Sequence, residues 1–309
     1  MASIDLDKML AKIKSSEWAL ADIDWDAPGA DKITPEQWPK LKTFMADLMW
    51  IEHVGARGFA AMAKSAPTDT LREIYTYFHA EEQRHANAEM ALMKRWGMLD
   101  SDTDLPEPSK NLRLVIEWLD TYADKMPFYV LGAVIPMLEI ALDGALCKFL
   151  LDTVDDPVCH SAFDKINGDE ARHLGVGFHV MEMQGYGKTT IQLAKMVLPL
   201  IDPRLLIGIL IYLPLLNKMR DNIVKLGLPE KKLYDVMKKF GQIGGRTPEG
   251  RRNPWFRIIH MHSLLVMNRS KRWYHRPVDA MVRLIDHIPQ RWMPGVPKWV
   301  HELTWKTKD

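Results

Sequence analysis

The chain has 309 residues, 47% of them apolar and 26% charged, an ordinary globular composition with enough core to fold without disulfide or metal staples. Forty-one Lys and Arg against 40 Asp and Glu give a net charge of +1, but residues 1–216 carry 21 basic and 32 acidic groups while residues 217–309 carry 20 and 8. An acidic body and a basic end point to two tasks in one chain. Cys147 and Cys159 exclude a disulfide framework, and no Cys-x-x-Cys spacing exists for zinc or dithiol chemistry. The start, MASIDLDKML, is acidic where a signal peptide needs a basic flank, so a reducing, cytoplasmic setting is expected. The longest apolar run, Leu205 to Leu216, is 12 residues and too short to span a bilayer.

Apolar residues recur at helical spacing and strand-like alternation is absent, which predicts an all-α fold. Residues 1–33 form an acidic arm with Trp18, Trp25 and one short helix over Leu6 to Ile13. Thr34-Pro35-Glu36-Gln37 supplies an N-cap, a proline at the first helical position and a capping-box glutamine, opening helix A to about Ser65. Pro67-Thr68-Asp69 opens helix B, which Gly97 closes; an acidic, proline-bearing link then runs from Met98 to Lys110. Helix C begins near Asn111, breaks around Lys125 to Pro127 and continues to about Val154 with a kink at Pro136. Asp155-Asp156-Pro157 starts helix D, which ends near Gly185-Tyr186-Gly187. Four long helices with one long crossover make a four-helix bundle over residues 34–187. Residues 188–309 form an extension, first apolar and then basic, with the GQIGG stretch at Gly241 to Gly245 read as a turn between helices.

Helix B contains Glu81-Glu82-Gln83-Arg84-His85 and helix D contains Asp169-Glu170-Ala171-Arg172-His173. Each embeds Glu-x-x-His, which puts a carboxylate and an imidazole on one helix face. A glutamate in an apolar helical stretch precedes each motif: Glu52 by 30 residues and Glu139 by 31. Adjacent helices joined by short loops would bring Glu52, Glu82, His85, Glu139, Glu170 and His173 together halfway up one bundle. Burying so many charged groups is prohibitively costly unless they bind cations. Six oxygen and nitrogen donors suit two iron or manganese ions about 3.5–4 Å apart.

At these residues the chain resembles the ferritin-like diiron carboxylate superfamily. EEQRH and DEARH look most like the equivalent helices of soluble acyl-carrier-protein desaturases, and are similar also to the ribonucleotide reductase small subunit and the arylamine N-oxygenases. The resemblance covers about Thr34 to Gln184. It implies two Fe ions, or Mn with Fe, and O2 as co-substrate. Glu52 and His85 would serve one metal, Glu139 and His173 the other, and Glu82 and Glu170 would bridge. Asp169 would accept from a ligating imidazole, and Arg84 and Arg172 would hold such carboxylates. The position of the reductase subunit's radical tyrosine is Glu89 here, which argues against a stored tyrosyl radical, and Ile166 stands where N-oxygenases add a histidine. Tyr75 and Tyr77 read as packing residues; His53, His79 and His179 read as neighbours of the site or surface groups.

Other motifs fail on inspection. Gly187-Lys188-Thr189 has Glu182 where a phosphate-binding loop needs its first glycine, and His260-Met261-His262 spreads its imidazoles over different helix faces. Met196 to Leu216 is a buried helix pair or dimer face, or else the wall of a lipophilic channel or a surface resting on a membrane. The basic end interleaves Trp255, Trp273, Trp292, Trp299 and Trp305 with arginines, and its charge would steer an acidic partner such as a carrier protein, a ferredoxin or anionic lipid. Nucleic acid would leave the buried metal site without a task. The expected function is an O2-activating non-haem diiron oxidase, an oxygenase or desaturase acting on a lipophilic or carrier-bound acyl substrate. It would be cytoplasmic or membrane-peripheral, homodimeric, and fed by an external ferredoxin or reductase. The alternatives are a ferritin-class ferroxidase and a membrane-associated binding protein with a structural dimetal site.

Overall fold

The computed structural model describes residues 4–100, 105–132, 134–135, 154–183, 202–227 and 229–295, with Glu249, Pro254 and Trp255 described by backbone alone. Glu139, Pro136, Cys147, the helix D terminus at 185–187, the Gly187-Lys188-Thr189 stretch, residues 196–201, and Trp299 and Trp305 all lie outside these residues. Among the described residues the chain is helical and no strand occurs, as the periodicity requires.

Local chemistry explains the helix boundaries. Asp5 accepts the backbone N–H of Lys8 at 3.1 Å and starts α1, Leu6–Ser15. The Thr34 hydroxyl accepts the Gln37 N–H at 3.3 Å and the Gln37 side chain accepts the Thr34 N–H at 3.1 Å, a reciprocal box one turn ahead of α2, Trp38–Ser65. The Thr68 side chain caps α3, Asp69–Arg95. That helix closes with Gly97 at φ +67°, its N–H on the Lys94 carbonyl and the Met98 N–H on the Met93 carbonyl. This double closure needs a left-handed residue, and glycine adopts that conformation without strain.

Helix α4 covers Lys110–Tyr122, and a single 3-10 turn over Ala123–Lys125 interrupts the helix before residues 128–132 resume it. Asp156 accepts the Val158 N–H at 3.0 Å at the head of α5, Pro157–Met183. The extension comprises α6 (Pro203–Leu226), α7 (Glu230–Gly244), α8 (Pro248–Arg252), α9 (Pro254–Val266) and α10 (Arg272–Asp286).

Among the described residues, helices α2 and α3 share the most extensive interface; α3 packs on α5, and α1 lies across both. Their buried faces supply Phe44, Met45, Leu48, Ile74, Phe78, Phe163 and Ile166 to one continuous core. Leu215, Leu216 and Met219 of α6 join that same core, with α6 against α2 and α4 and α10 against α6 and α4. Arg95 ties the arm down: it donates to the carbonyls of Trp25 and Ala27 at 2.6 Å each and pairs with the buried carboxylate of Asp156 at 2.9 Å.

The glycine-rich stretch at Gly241 to Gly245 differs from the expected turn, because α7 runs through Gly244. These glycines serve close helix contact instead. A Cβ at Gly241 would meet the His260 ring at 2.0 Å, and one at Gly244 would meet Phe256 at 2.3 Å. Among the described residues no helix is long and apolar enough to cross a membrane. The apolar run on α6 buries Leu205, Gly208, Leu215 and Leu216 and leaves Leu206, Ile207 and Leu210 exposed.

Candidate metal centre

Helix α2 presents Glu52, α3 presents Glu82 and His85, and α5 presents Glu170 and His173, all in the interior. None exposes more than 4% of its surface. Ligand atoms of Glu52, Glu82, His85 and Glu170 all lie within 4.8 Å of one another. His173 closes the group, its Nδ1 being 3.1 Å from Glu82 and 3.4 Å from Glu170. On the other side His85 Nδ1 stands 3.4 Å from Glu52 and 3.3 Å from Glu170. The structure thus brings together five of the six expected ligands; the sixth, Glu139, lies outside the described residues.

Each imidazole is oriented from the helix opposite. His85 Nε2–H of α3 donates to Asp169 of α5 at 2.9 Å, and His173 Nε2–H of α5 donates to Glu81 of α3 at 2.9 Å. Pinning both Nε2 atoms as donors leaves each Nδ1 with a lone pair aimed at the cluster of carboxylates. Arg172 holds the two outer acids, donating to Glu81 at 2.9 Å and to Asp169. The indole N–H of Trp18, brought in by the arm, adds a bond to Asp169 at 2.8 Å. Burial pushes the Asp169 carboxyl up, but these donors hold it below the usual carboxylate range.

The inward atoms have no such partners. Both oxygens of Glu52, Oε1 of Glu82, Oε1 of Glu170 and the Nδ1 atoms of His85 and His173 make no hydrogen bond. Buried polar atoms left unpaired are costly, and here they converge on one point. Burial pushes the Glu82 carboxyl well up, and the charges of Glu52 and Glu170 push it further. Burial opposes protonation of His85 and His173, yet the surrounding carboxylates raise both well above the ordinary histidine value. The enclosure therefore demands positive charge, which metal cations satisfy better than protons. Carboxylate and imidazole donors without thiolate match iron and manganese.

Room for this cluster depends on Gly55, one turn beyond Glu52. A Cβ there would lie 2.3 Å from Glu82 Oε2. Sequence reasoning missed Gly55, Trp18 and Glu81. Glu81 was accessible in principle, since an acidic residue directly precedes each Glu-x-x-His. Arg84 departs from expectation: instead of holding a carboxylate of the centre, it turns toward the arm, 3.8 Å from Glu17 and over the Trp18 ring.

The remaining expectations fall outside the donor set. Tyr75 stacks among Phe59, Phe78 and Phe128, and Ile166 is core. His53 packs beside Trp50, where burial brings it down to about 3, and His79 binds the Ala56 carbonyl at 2.8 Å. His179 is buried on α5. His260 and His262 part company, one on the Met237 carbonyl and the other on the Tyr274 hydroxyl.

No family model matches the chain, and no curated protein matches it. Solved structures do. An R2-like ligand-binding oxidase with an aerobically reconstituted metal cofactor after photoconversion aligns at TM-score 0.50 and 16% identity, over 86% of this chain and 94% of that one. A variant of such an oxidase, aerobically reconstituted with Fe/Fe, aligns at TM-score 0.49 and 17% identity, over 87% and 93%. The first alignment shows that this chain has the ferritin-like helical fold of the R2-like oxidases.

Proposed function

We propose that this protein is an oxidoreductase that activates O2 at two metal ions, Fe/Fe or Mn/Fe, enclosed by α2, α3 and α5. The observation that carries the reading is the convergence of buried, unpaired donor atoms from Glu52, Glu82, His85, Glu170 and His173. The oxidase aligned at TM-score 0.50 carries an aerobically reconstituted metal cofactor, which supports metal-dependent use of O2. Two such ions, when bound, supply the electrons that reduce O2.

The chain's own residues hold and shape that centre. Glu52 and His85 would hold one ion and His173 the other, with Glu82 and Glu170 offering carboxylates to both; Glu139, expected beside His173, lies outside the described residues. Asp169 and Glu81 keep both imidazoles in the tautomer that offers Nδ1. Phe59 and Phe78, whose ring centroids lie 5.0 and 4.2 Å from that of His173, keep water from its side of the cluster.

The organic substrate is a lipophilic or carrier-bound acyl group, taken up along the apolar face of α6 where Leu206, Ile207 and Leu210 are exposed. Electrons come from a separate ferredoxin or reductase. The outer face of α10, with Trp273, Arg276, Arg283 and Leu284 exposed and Trp292 just beyond, suits an anionic surface.

The test is to load the metal-free protein with Fe(II) in the absence of O2, mix with O2 in a stopped-flow instrument and analyse products from acyl substrates. Two irons per chain and an oxidised acyl product support the reading. Failure to bind iron overturns it, and deposition far beyond two irons per chain shows an iron-storage protein instead.

A further inference from the structure

We propose that Glu89 is itself a metal ligand, a further carboxylate donor on the Glu52–His85 side of the centre. The inference rests on the dimetal reading above and adds one donor to it.

Glu82, His85 and Glu89 stand at i, i+3 and i+7 on α3, one continuous helix face. Glu89 is fully buried, and both of its carboxylate oxygens are without a hydrogen-bond donor. The charged groups that act on it most strongly are the Glu52 carboxyl, within hydrogen-bonding reach, the His85 imidazole and the Glu82 carboxyl. Its neighbours one turn away on α3, Ala86, Leu92 and Met93, are buried and apolar, and the buried Cys159 thiol of α5 lies within its electrostatic reach.

Other buried acids of the bundle behave differently. Asp169 accepts from His85, Trp18 and Arg172, Glu81 from His173 and Arg172, and Asp156 from Arg95, Trp96 and a backbone N–H. An acid that positions a neighbour carries donors of its own. Among the described buried carboxylates, Glu52 and Glu89 are the pair with both oxygens unpaired. Glu89 therefore shares the signature of the proposed ligands rather than that of their supports. Uncompensated, its burial would be among the most costly in the molecule; a divalent cation held jointly with Glu52 and His85 removes that cost.

The test uses Co(II) as probe in O2-free buffer, titrating wild type, Glu89→Gln and Glu89→Ala by calorimetry and visible absorption. Wild type takes two Co(II) per chain. In both variants one of the two ions is expected to bind about tenfold or more weakly, with stronger visible absorption per ion as its coordination number falls. Retention of both ions within about twofold of wild type overturns the inference, as does weakened binding with an unchanged spectrum, which marks a positioning group. Failure of wild type to bind Co(II) would overturn the metal centre itself, and the wild-type titration reads that separately. Should the variants not fold, a crystal structure of metal-loaded wild type decides the point. A Glu89 oxygen within roughly 2.5 Å of an ion supports the assignment, and a longer distance overturns it.

Discussion

Asp169 on α5 accepts the Nε2–H of His85 on α3 at 2.9 Å, and the same carboxylate accepts Trp18 and Arg172. His85 and Trp18 share one oxygen and Arg172 takes the other, so an asparagine turns its N–H either against Arg172 or against His85 and Trp18, and the negative charge is lost in both cases. Asp169→Asn should weaken Fe(II) or Co(II) binding by about 10- to 100-fold, because the imidazole is no longer held with Nδ1 free. Calorimetric titration checks this; affinity within about twofold of wild type would show that Asp169 does not set the imidazole.

Gly55 separates site geometry from stability. Alanine is the better helix former by about 0.5–1 kcal/mol, but its Cβ would lie 2.3 Å from Glu82 Oε2. Gly55→Ala should leave the melting temperature of the metal-free protein unchanged or higher while metal affinity falls about tenfold as Glu82 is displaced. Paired thermal melts and titrations read both effects, and a variant that binds metal normally would refute the crowding argument.

Arg95 and Lys64 contrast buried and exposed ion pairs. Asp156 is fully buried and Arg95 nearly so, whereas Lys64 and Asp124 are largely exposed. Burial pushes the Asp156 carboxyl up, and the Arg95 and Trp96 bonds hold it below its ordinary value. Arg95→Ala strands that charge and should cost about 3 kcal/mol, freeing the arm as well. Lys64→Ala should cost less than about 1 kcal/mol. Urea unfolding of the two variants measures the difference.

Part of the acid sensitivity should be traceable to His262, which burial brings down to about 4. Unfolded, the same histidine titrates near 6.5. Between those values the unfolded chain binds a proton that the folded one does not, so stability is lost as pH falls below about 6.5. The loss from this residue between pH 7 and 5.5 is about 1 kcal/mol. His262→Gln, which can still bond the Tyr274 hydroxyl, should flatten the pH dependence by that amount; an unchanged profile would place the sensitivity elsewhere.

For the basic extension, sedimentation with vesicles containing anionic lipid should show binding that weakens from low to physiological salt. Trp273→Ala with Arg276→Ala should reduce it several-fold. Binding that ignores salt, or persists in the double variant, would remove α10 as the contacting face.

The sequence carried several helix starts and the convergence of five donors because both rest on local rules: capping residues, and donors three apart on one face. Thr34 with Gln37, Thr68 and Gly97 all act as their residue types demand. What it did not carry depends on contact across the chain. Trp18 reaches Asp169 over 151 positions, and nothing in the arm's composition marks it as part of the centre. Glu89 stood out only as a missing tyrosine, since burial without donors is a property of the packed state. Gly241 and Gly244 looked like a turn because a glycine needed for close packing and one needed for backbone freedom are the same letter.

The crosswise bonds from His85 to Asp169 and from His173 to Glu81 relate α3 and α5 by a local pseudo-twofold axis. Two donor sets so related are nearly equivalent, and an equivalent pair cannot by itself tell manganese from iron. Discrimination must come from whatever breaks the symmetry. On the described side that is Trp18, bonded to Asp169 with no indole counterpart on Glu81, and the additional carboxyl of Glu89 beside Glu52. Were the protein to assemble a mixed-metal pair, those two residues are, among the described ones, where the ions would be told apart.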